Sequence, residues 1–271
     1  MRKIIITVAP VAGNLVKDTV NPVSAEAVAR DVIAAALAGA SQVHLHVRDR
    51  EGKQTQQLDE FSRTLDLIRA ESDIIIQGST GGVSDLSLAD RCVAIQNPLV
   101  EVGSLNMGSC NFGEGVYINT LPDIRYWSGR LREAGVLPEM EIFDAGMINN
   151  AVILVEESVI TSPLIFGFVL GVRGALPATP YSLQILQGIM PPGAIWGCIH
   201  AEMSDLSLLA TAIGMGASFI RVGFEDSIHC NPFEIAQTNA ELVGKAAELI
   251  RSMGCAVASP AEARSILGLK S

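Results

Sequence analysis

Positive charge and long apolar runs are both scarce in this chain of 271 residues. Its 19 Lys and Arg residues are outnumbered by 29 Asp and Glu residues, so the formal net charge is −10 at pH 7. Nucleic acids and anionic membranes attract proteins through basic faces, and we therefore expect neither as a partner. No stretch approaches the roughly 20 apolar residues that a membrane-spanning helix requires. The short apolar run near the N-terminus predicts a first strand rather than a signal peptide.

Cysteine is scarce as well, and linker-like segments are lacking. The five cysteines form no CxxC pair and are odd in number, which predicts buried or inert thiols in a protein of the reducing cytoplasm. The 25 glycines and 12 prolines are spread along the chain, and 49% of the residues are hydrophobic. We therefore expect a single domain over residues 1–271, a length that barrels and other α/β folds commonly reach.

Short runs rich in Ile and Val alternate with longer segments of helical periodicity. The predicted strands are Lys3–Ala9, Gln42–Val47, Ile74–Gly78, Val100–Leu105, Glu139–Phe143, Leu164–Leu170, Ala194–His200 and Ser218–Gly223. The predicted helices are Ser24–Ala40, Asp59–Ala70, Asp85–Ile95, Asn119–Ala134, Gly146–Glu156, Pro180–Gly188, Met203–Met215 and Pro232–Gly254. Such alternation implies parallel strands with right-handed crossovers, and eight units in ~250 residues indicate a (β/α)8 TIM barrel.

Two further expectations concern the architecture. A doubly wound open sheet is the structural alternative to the barrel, because it shows the same alternation of strands and helices. Near the C-terminus, Ser259 is followed by Pro260 and, three residues after the serine, by Glu262. This capping sequence predicts a C-terminal helix, ending at Leu269, that closes the barrel from outside.

Two of the four histidines lie on the second predicted strand, in Val43-His44-Leu45-His46-Val47. Successive side chains of a strand point to opposite faces, so His44 and His46 share one face. The apolar neighbours suit the helix-facing side, and we expect both imidazoles to face the barrel interior. TIM barrels carry their active sites at the C-terminal strand ends. A His-x-His pair in that place indicates a metal site.

The eighth predicted strand offers a third ligand, since it leads into Arg221-Val222-Gly223-Phe224-Glu225-Asp226. Closure of a barrel brings this strand beside the first and near the second. Arg221 and Glu225 share strand parity, so both can face inward. Two histidines and a carboxylate with an open position are the composition of a catalytic zinc site, and also of a non-haem iron site. The alternative is that Glu225 and Asp226 form a solvated loop pair.

Other strand ends carry small polar or acidic residues. The third predicted strand leads into Ser79-Thr80-Gly81-Gly82, whose hydroxyl and backbone N–H groups suit a carboxylate or phosphate oxygen. The fourth leads into a small, polar segment that contains Asn106. The fifth carries Glu141 and Asp144, which either face a substrate side chain or neutralise arginines of the barrel.

Six segments match one family pattern in order along the chain: Thr7–Pro10, His44–Asp49, Ser79–Gly82, Glu139–Asp144, Arg221–Asp226 and Ala261–Leu269. On these segments the chain resembles the β-keto acid cleavage enzymes, the family of the 3-keto-5-aminohexanoate cleavage enzyme of lysine fermentation. The resemblance implies a zinc-dependent TIM barrel, usually a homotetramer. Such enzymes condense a β-keto acid with acetyl-CoA and, by a retro-Claisen step, release acetoacetate and a new acyl-CoA.

The resemblance also implies residue roles. By similarity, His44, His46 and Glu225 are the zinc ligands, and Asp226, oriented by Arg221, corresponds to the general base.

The positions that correspond to substrate binding by similarity are Ser79 and Gly82, with Asn106 near another. Glu141 matches an acidic residue of the family members that use basic substrates.

Asn14 departs from the family pattern. Members commonly carry a glutamate after the first strand, in a Gly-Ala-Glu context, and the resemblance implies that it joins the arginine and the aspartate in a charge network. Asn14 can form hydrogen bonds but cannot offset the charge of Arg221. Either the base strength of Asp226 or the recognised substrate group should therefore differ. We interpret Asn14 as a substrate contact that suits a β-keto acid with a neutral side chain.

Two other functions share part of this pattern. A metal-dependent hydrolase of the amidohydrolase type is also a barrel with a His-x-His pair. That pair lies on the first strand, however, and needs further ligands on the middle strands, which carry no histidine here. A non-catalytic metal-binding barrel is the second alternative, and it would bind zinc and β-keto acids without thioester exchange.

Overall fold

The computed structural model describes residues 1–12, 21–81 and 86–269. The strands are β1 (Lys3–Val8), β2 (Gln42–Leu45), β3 (Ile75–Ser79), β4 (Val102–Asn106), β5 (Cys110–Phe112), β6 (Gly115–Tyr117), β7 (Leu137–Ile142), β8 (Ile165–Leu170), β9 (Ile195–His200), β10 (Phe219–Val222), β11 (His229–Asn231), β12 (Glu234–Ile235) and β13 (Ala256–Val257). The helices are α1 (Ala25–Ala38), α2 (Asp59–Glu71), α3 (Leu121–Ala134), α4 (Ala145–Glu156), α5 (Pro180–Ile189), α6 (Ser207–Gly214), α7 (Asn239–Ser252) and α8 (Pro260–Leu267), with a 3₁₀ helix at Asp90–Gln96.

Eight parallel strands form a closed barrel. Their order around the barrel is β1, β2, β3, β4, β7, β8, β9 and β10, and β10 pairs with β1. The (β/α)8 barrel expected from the sequence is therefore confirmed, and the open doubly wound sheet is wrong. None of the described helices combines the length and the hydropathy that a membrane span needs.

Side chains alternate between the two faces of the barrel wall. On β1, Ile4, Ile6 and Val8 belong to the outer core under the helices. Ile5, between them, belongs to a separate apolar layer inside the N-terminal end of the barrel. Residues of α8, such as Leu267, pack in the same layer. The C-terminal helix therefore closes the barrel at the end opposite the C-terminal strand ends, and the predicted capping box is present at its start.

The loops differ more from the predictions than the barrel does. In place of the predicted helix over Asp85–Ile95, the described residues form the short 3₁₀ helix. The predicted helix Pro232–Gly254 begins late, because a hairpin of β11 and β12 comes first and Thr238 caps the Glu241 N–H group. The hairpin of β5 and β6 was not predicted. These hairpins lie in loops at the C-terminal face, where β5 and β6 reach the site.

Candidate active site

His44 and His46 lie at the C-terminal end of β2 and project to the same side, as strand alternation predicts. Their rings are in edge contact, with centroids 5.1 Å apart and planes at 79°. The two Nε2 atoms are 3.4 Å apart. His44 is buried, whereas His46 is half-buried at the cavity above it.

Glu225 meets both histidines. Its Oε1 lies 3.5 Å from His44 Nε2 and 3.6 Å from His46 Nε2. Among the described residues, these three side chains form the group of nitrogen and oxygen donors that could hold a metal ion, all within 4.8 Å of one another. The side chains of Glu225 and Asp226 are only 20% and 4% exposed. The alternative of a solvated carboxylate pair is therefore wrong.

Gly223 allows the chain to bring Glu225 to the histidines. Its φ of +139° is open to glycine but strained for other residues. The turn lets the Glu225 N–H group donate to the Ala9 carbonyl at 3.1 Å, at the end of β1. A Cβ atom at position 223 would overlap with that carbonyl group. The glycine in the Arg-Val-Gly-Phe-Glu-Asp motif therefore has a steric cause.

The surroundings of the histidines fit a bound metal. His44 Nδ1 lies 2.6 Å from Gln77 Oε1, so this nitrogen carries the proton and Nε2 has a free lone pair. Burial, with a smaller effect of Arg221, lowers the pKa of His44 to about 3 although Glu225 opposes the shift. Neutral imidazole is the form that binds metals. At His46 the Gln54 amide nitrogen lies 3.0 Å from Nδ1, and this amide must turn its oxygen to Nδ1 for the His46 Nε2 lone pair to be free for a metal.

Arg221 organises the carboxylates of the site. It donates to Asp226 in bidentate fashion, Nε to Oδ2 at 2.8 Å and Nη2 to Oδ1 at 2.5 Å. The same Nη2 lies 3.4 Å from Glu225 Oε1, and Nη1 lies 3.6 Å from Glu141 Oε1. Burial opposes the charge of Arg221, but these carboxylates raise the pKa of Arg221 above its usual range. The arginine is a permanent cation at the base of the cavity.

Burial affects the acids beside this arginine. It raises the pKa of Asp226, although Arg221 opposes the shift. Burial also raises the pKa of Glu141 to about 8, against the charge of Arg221 and with the help of the neighbouring carboxylates. Glu141 is therefore mainly protonated at neutral pH. Glu141 lines the cavity and lies 3.6 Å from Arg221, but in its protonated form it does not neutralise the arginine, which leaves the role of facing a substrate side chain as the prediction.

A buried polar chain lies behind His44 and was missed by the sequence reasoning. Gln77 Nε2 donates to Glu139 Oε2 at 2.6 Å, and Gln42 Nε2 donates to the same oxygen at 3.1 Å. The signal was present in the sequence, because Gln42 precedes His44 by two residues and Glu139 precedes Glu141 by two. Residues two apart on a strand point to the same face, so these polar side chains share the face of the site residues. Polar residues at such positions in otherwise apolar strands indicate a polar barrel interior.

The cavity in front of these residues has one polar and one apolar wall. The polar wall contains the histidines, Glu225, Asp226 and Arg221. The apolar wall contains Phe112 and Tyr117 of the β5–β6 hairpin, which pack with Phe143 with ring centroids 6.0–6.3 Å apart. Val169 and Val172 extend this apolar wall. The aromatic residues of the hairpin were not predicted, because their approach depends on a long-range contact of the loop.

The other predicted residues fall in different places. Ser79 lines the cavity, and its Oγ accepts the Gly81 N–H at 3.1 Å. Asn106 is buried on β4 beside Glu141 and is not among the residues that line this cavity. Asp144 caps α4 by accepting from the Gly146 N–H group. Two predicted residues lie outside the described part of the chain: Asn14 and Gly82.

Together, the barrel and these side chains define a class of protein: a TIM-barrel enzyme with a candidate metal centre beside a buried arginine–carboxylate pair. The chain belongs to the beta-keto acid cleavage enzyme family, whose sequence model matches residues 3–269. This confirms the resemblance seen in the motifs. The chain is accordingly an enzyme of the acyl-transferring, C–C bond-cleaving kind, and the amidohydrolase alternative is wrong.

Individual relatives agree with this assignment. The chain is 36% identical to the 3-keto-5-aminohexanoate cleavage enzyme of Fusobacterium nucleatum subsp. nucleatum, over 100% of this chain and 99% of the relative. It is 38% identical to the enzyme of the same name from Acetoanaerobium sticklandii, over 99% of each chain. It is 33% identical to the 3-oxoadipate:acetyl-CoA acetyltransferase of Cupriavidus necator, over 98% of this chain and 95% of the relative.

A solved structure supports the fold. The binary complex of ObcA with oxaloacetate superimposes with a TM-score of 0.77 at 20% identity, over 92% of this chain and 67% of ObcA. At 20% identity, this likeness supports the barrel fold alone.

Proposed function

We propose that this enzyme is zinc-dependent and exchanges acyl groups between a β-keto acid and acetyl-CoA, with acetoacetate and a new acyl-CoA as products. The observation that carries the proposal is the group of three possible metal ligands, His44, His46 and Glu225. They line the cavity, beside the Arg221–Asp226 pair, so a bound metal could also contact a substrate. The Cupriavidus necator relative, a 3-oxoadipate:acetyl-CoA acetyltransferase, supports acetyl-CoA as co-substrate.

Zinc held by His44, His46 and Glu225 would supply Lewis acidity towards the ketone and carboxylate oxygens of the β-keto acid, worth several kcal/mol in charge stabilisation. Asp226 accepts a proton from the methylene carbon between those two groups. Arg221 keeps both oxygens of Asp226 in place through its bidentate contacts of 2.5 and 2.8 Å. No nucleophilic side chain is needed.

The methylene carbon forms a bond to the acetyl carbonyl carbon of acetyl-CoA, and the thioester C–S bond breaks to release the coenzyme A thiolate. The thiolate forms a new C–S bond to the original ketone carbon, and the bond between that carbon and the methylene carbon breaks. This gives the new acyl-CoA, and Asp226 returns its proton to the carbanion to give acetoacetate. Ser79, which lines the cavity, is proposed to contact the substrate, as are Gly82 and Asn14.

The substrate side chain is proposed to be neutral. Phe112, Phe143 and Val169 offer an apolar wall for it. A protonated Glu141, with its pKa raised to about 8 by burial, adds no negative charge there at neutral pH. Asn14 likewise carries no charge in place of the family glutamate. An amino-bearing side chain is the second candidate, because a cation would ionise Glu141 and pair with it.

Labelling tests the exchange reaction. The zinc-loaded enzyme is incubated with acetyl-CoA labelled with ¹³C at the carbonyl carbon and with neutral, acidic and amino-bearing β-keto acids. We expect the label in the ketone carbon of acetoacetate and unlabelled acyl groups on the new acyl-CoA. Thioester hydrolysis without acetoacetate, or no product from any β-keto acid, would contradict the proposed exchange.

Metal content tests the zinc site. We expect about one zinc ion per chain in the purified protein and loss of metal and activity together in His46→Ala. The double variant His44→Ala/His46→Ala should remain folded by circular dichroism, since the outer apolar core is untouched. Full metal occupancy of this double variant would contradict the assignment of the ligands. The homotetramer implied by the family stays a prediction, which light scattering can test.

A further inference from the structure

Glu139 is a buried carboxylate that the proposed reaction does not use. It is only 2% exposed, and it is not among the residues that line the cavity. Ion pairing does not account for it, since its hydrogen bonds come from the amides of Gln42 and Gln77. Burial raises the pKa of Glu139, and these two amides and Arg221 only oppose that shift. Burying a carboxylate is costly, so its presence inside the barrel requires a reason.

The barrel makes room for this carboxylate. Gly167 lies on the neighbouring strand β8, and a Cβ atom there would lie 3.0 Å from Glu139 Oε1. Gln77 and Gln42 come from β3 and β2, so three separate strands contribute to one polar chain. The chain ends at His44, one of the three candidate metal ligands.

The direction of each hydrogen bond follows from the chemistry of the groups. Glu139 Oε2 accepts from the amide nitrogens of both Gln77, at 2.6 Å, and Gln42, at 3.1 Å, so the NH₂ group of the Gln77 amide faces Glu139. The amide oxygen must then face His44 Nδ1, also at 2.6 Å. An oxygen in that place requires a proton on Nδ1, which leaves the Nε2 lone pair directed at Glu225.

The other histidine provides a contrast within the same site. At His46 the amide nitrogen of Gln54, and not its oxygen, lies 3.0 Å from Nδ1. Gln54 is half-buried near the surface, and among the described residues no carboxylate bonds to its amide. Without such an acceptor, the amide can present either its nitrogen or its oxygen to the imidazole.

We infer that Glu139 is a positioning residue, which sets the tautomer and the ring orientation of His44 through the Gln77 amide and so prepares Nε2 for the metal. This inference rests on the proposed function only for the metal itself, because the tautomer is a property of the metal-free protein. In many metal sites a carboxylate accepts the second N–H group of a histidine ligand. Here the Gln77 amide lies between the carboxylate and the histidine. Outer partners of this kind typically change metal affinity by about 10- to 100-fold when they are removed.

The test replaces the acceptor and reads the tautomer directly. In Glu139→Met the Gln77 amide loses its carboxylate and can turn its NH₂ group towards His44. Long-range ¹H–¹⁵N spectra of the metal-free protein should show the Nδ1–H tautomer of His44 in the wild type and a shift towards Nε2–H in the variant. Zinc affinity, measured by competition with a chelator, should fall by about 10- to 100-fold. Glu139→Gln retains one acceptor oxygen and should recover part of both properties.

Glu101→Gln is the matched control. The Glu101 carboxylate pairs with Arg264 at 2.6 Å and with Arg69 at 3.4 Å, near the N-terminal end of the barrel and away from the chain of hydrogen bonds to His44. The control should lower the melting temperature without changing the tautomer or the zinc affinity. A purely structural role of Glu139 would produce the same pattern as this control.

Two results would overturn the inference. The first is a wild-type His44 that carries its proton on Nε2 in the metal-free protein. This measurement does not depend on the folding of any variant. The second is a folded Glu139→Met protein with the wild-type tautomer and wild-type zinc affinity. If that variant does not fold, Gln77→Met removes the amide oxygen itself and must show the same losses. A wild type that binds no zinc would refute the proposed metal function, while the tautomer still tests the role of Glu139.

Discussion

Gly223→Ala tests how the end of β10 builds the site. The residue has a φ of +139°, and the new Cβ atom would overlap with the Ala9 carbonyl, whose carbon would lie 2.7 Å away. Backbone strain of this kind costs about 1–3 kcal/mol. Overpacking adds roughly 1–3 kcal/mol, because a backbone carbonyl cannot rotate away as a side chain can. The change should therefore destabilise the protein by about 2–6 kcal/mol.

The chain can relieve the overlap only by moving the residues that follow. Such a movement breaks the hydrogen bond between the Glu225 N–H group and the Ala9 carbonyl, 3.1 Å in the wild type. It also takes Glu225 Oε1 away from the two imidazoles, so zinc affinity should fall together with stability. The melting temperature should decrease by about 5–20 °C, given roughly 2–4 °C per kcal/mol for a domain of this size.

Gly244→Ala is the matched control for this experiment. Gly244 lies inside α7, and an added Cβ atom there meets nothing within 4 Å. The control should raise stability by up to about 1 kcal/mol through helix propensity and leave zinc affinity unchanged. Thermal unfolding and chelator competition on all three proteins provide the readout. If Gly223→Ala retains the wild-type melting temperature and zinc affinity, the close approach of β10 to Ala9 is refuted.

Three further predictions concern single side chains. Asp226→Asn keeps the size of the residue but removes the base, so the rate of proton abstraction should fall by roughly 10²–10⁴-fold. Zinc content should be nearly unchanged. Deuterium exchange of the substrate methylene at the wild-type rate would disprove the role of Asp226 as the base. Asn14→Glu should raise the KM for neutral and acidic β-keto acids. If the variant and the wild type show the same relative kcat/KM values across neutral, acidic and amino-bearing β-keto acids, a contact between Asn14 and the substrate is excluded. Burial raises the pKa of Asp31 to about 6 from 3.8, although Asn239 opposes the shift. The folded state therefore binds the proton more tightly, and this residue lowers stability as the pH rises from about 4 to about 6, after which the loss is constant. Asp31→Asn should melt higher than the wild type at pH 7.5 and the difference should vanish below about pH 4; a difference independent of pH would contradict the shift.

The barrel and its metal-ligand candidates could be predicted from local rules. Alternation of Ile- and Val-rich runs with helical segments specified eight units, since each strand must bury its outer face under the helix that follows. The two-residue period of β2 placed His44 and His46 on one face. The capping box at Ser259 defined the last helix, because it depends on residues only three apart. Each of these features is determined within a short stretch of chain.

The hairpins and the polar interior depended on tertiary structure. The β5–β6 hairpin is held by the bond from the Gly113 N–H group to the Arg173 carbonyl, 60 residues away along the chain, and this contact brings Phe112 and Tyr117 into the cavity wall. The link from Glu139 through Gln77 to His44 exists only because barrel closure brings three strands around one interior.

The charge states of the site were also decided by the fold. Asp226 stands beside a cation, which by itself would lower its pKa, yet burial raises it. Glu141 is protonated near neutral pH for the same reason. Residue types and their order determine which groups can reach a strand end. Burial and the distances between strands determine which of those groups meet and which are charged, because desolvation and hydrogen bonding act only once the chain has closed.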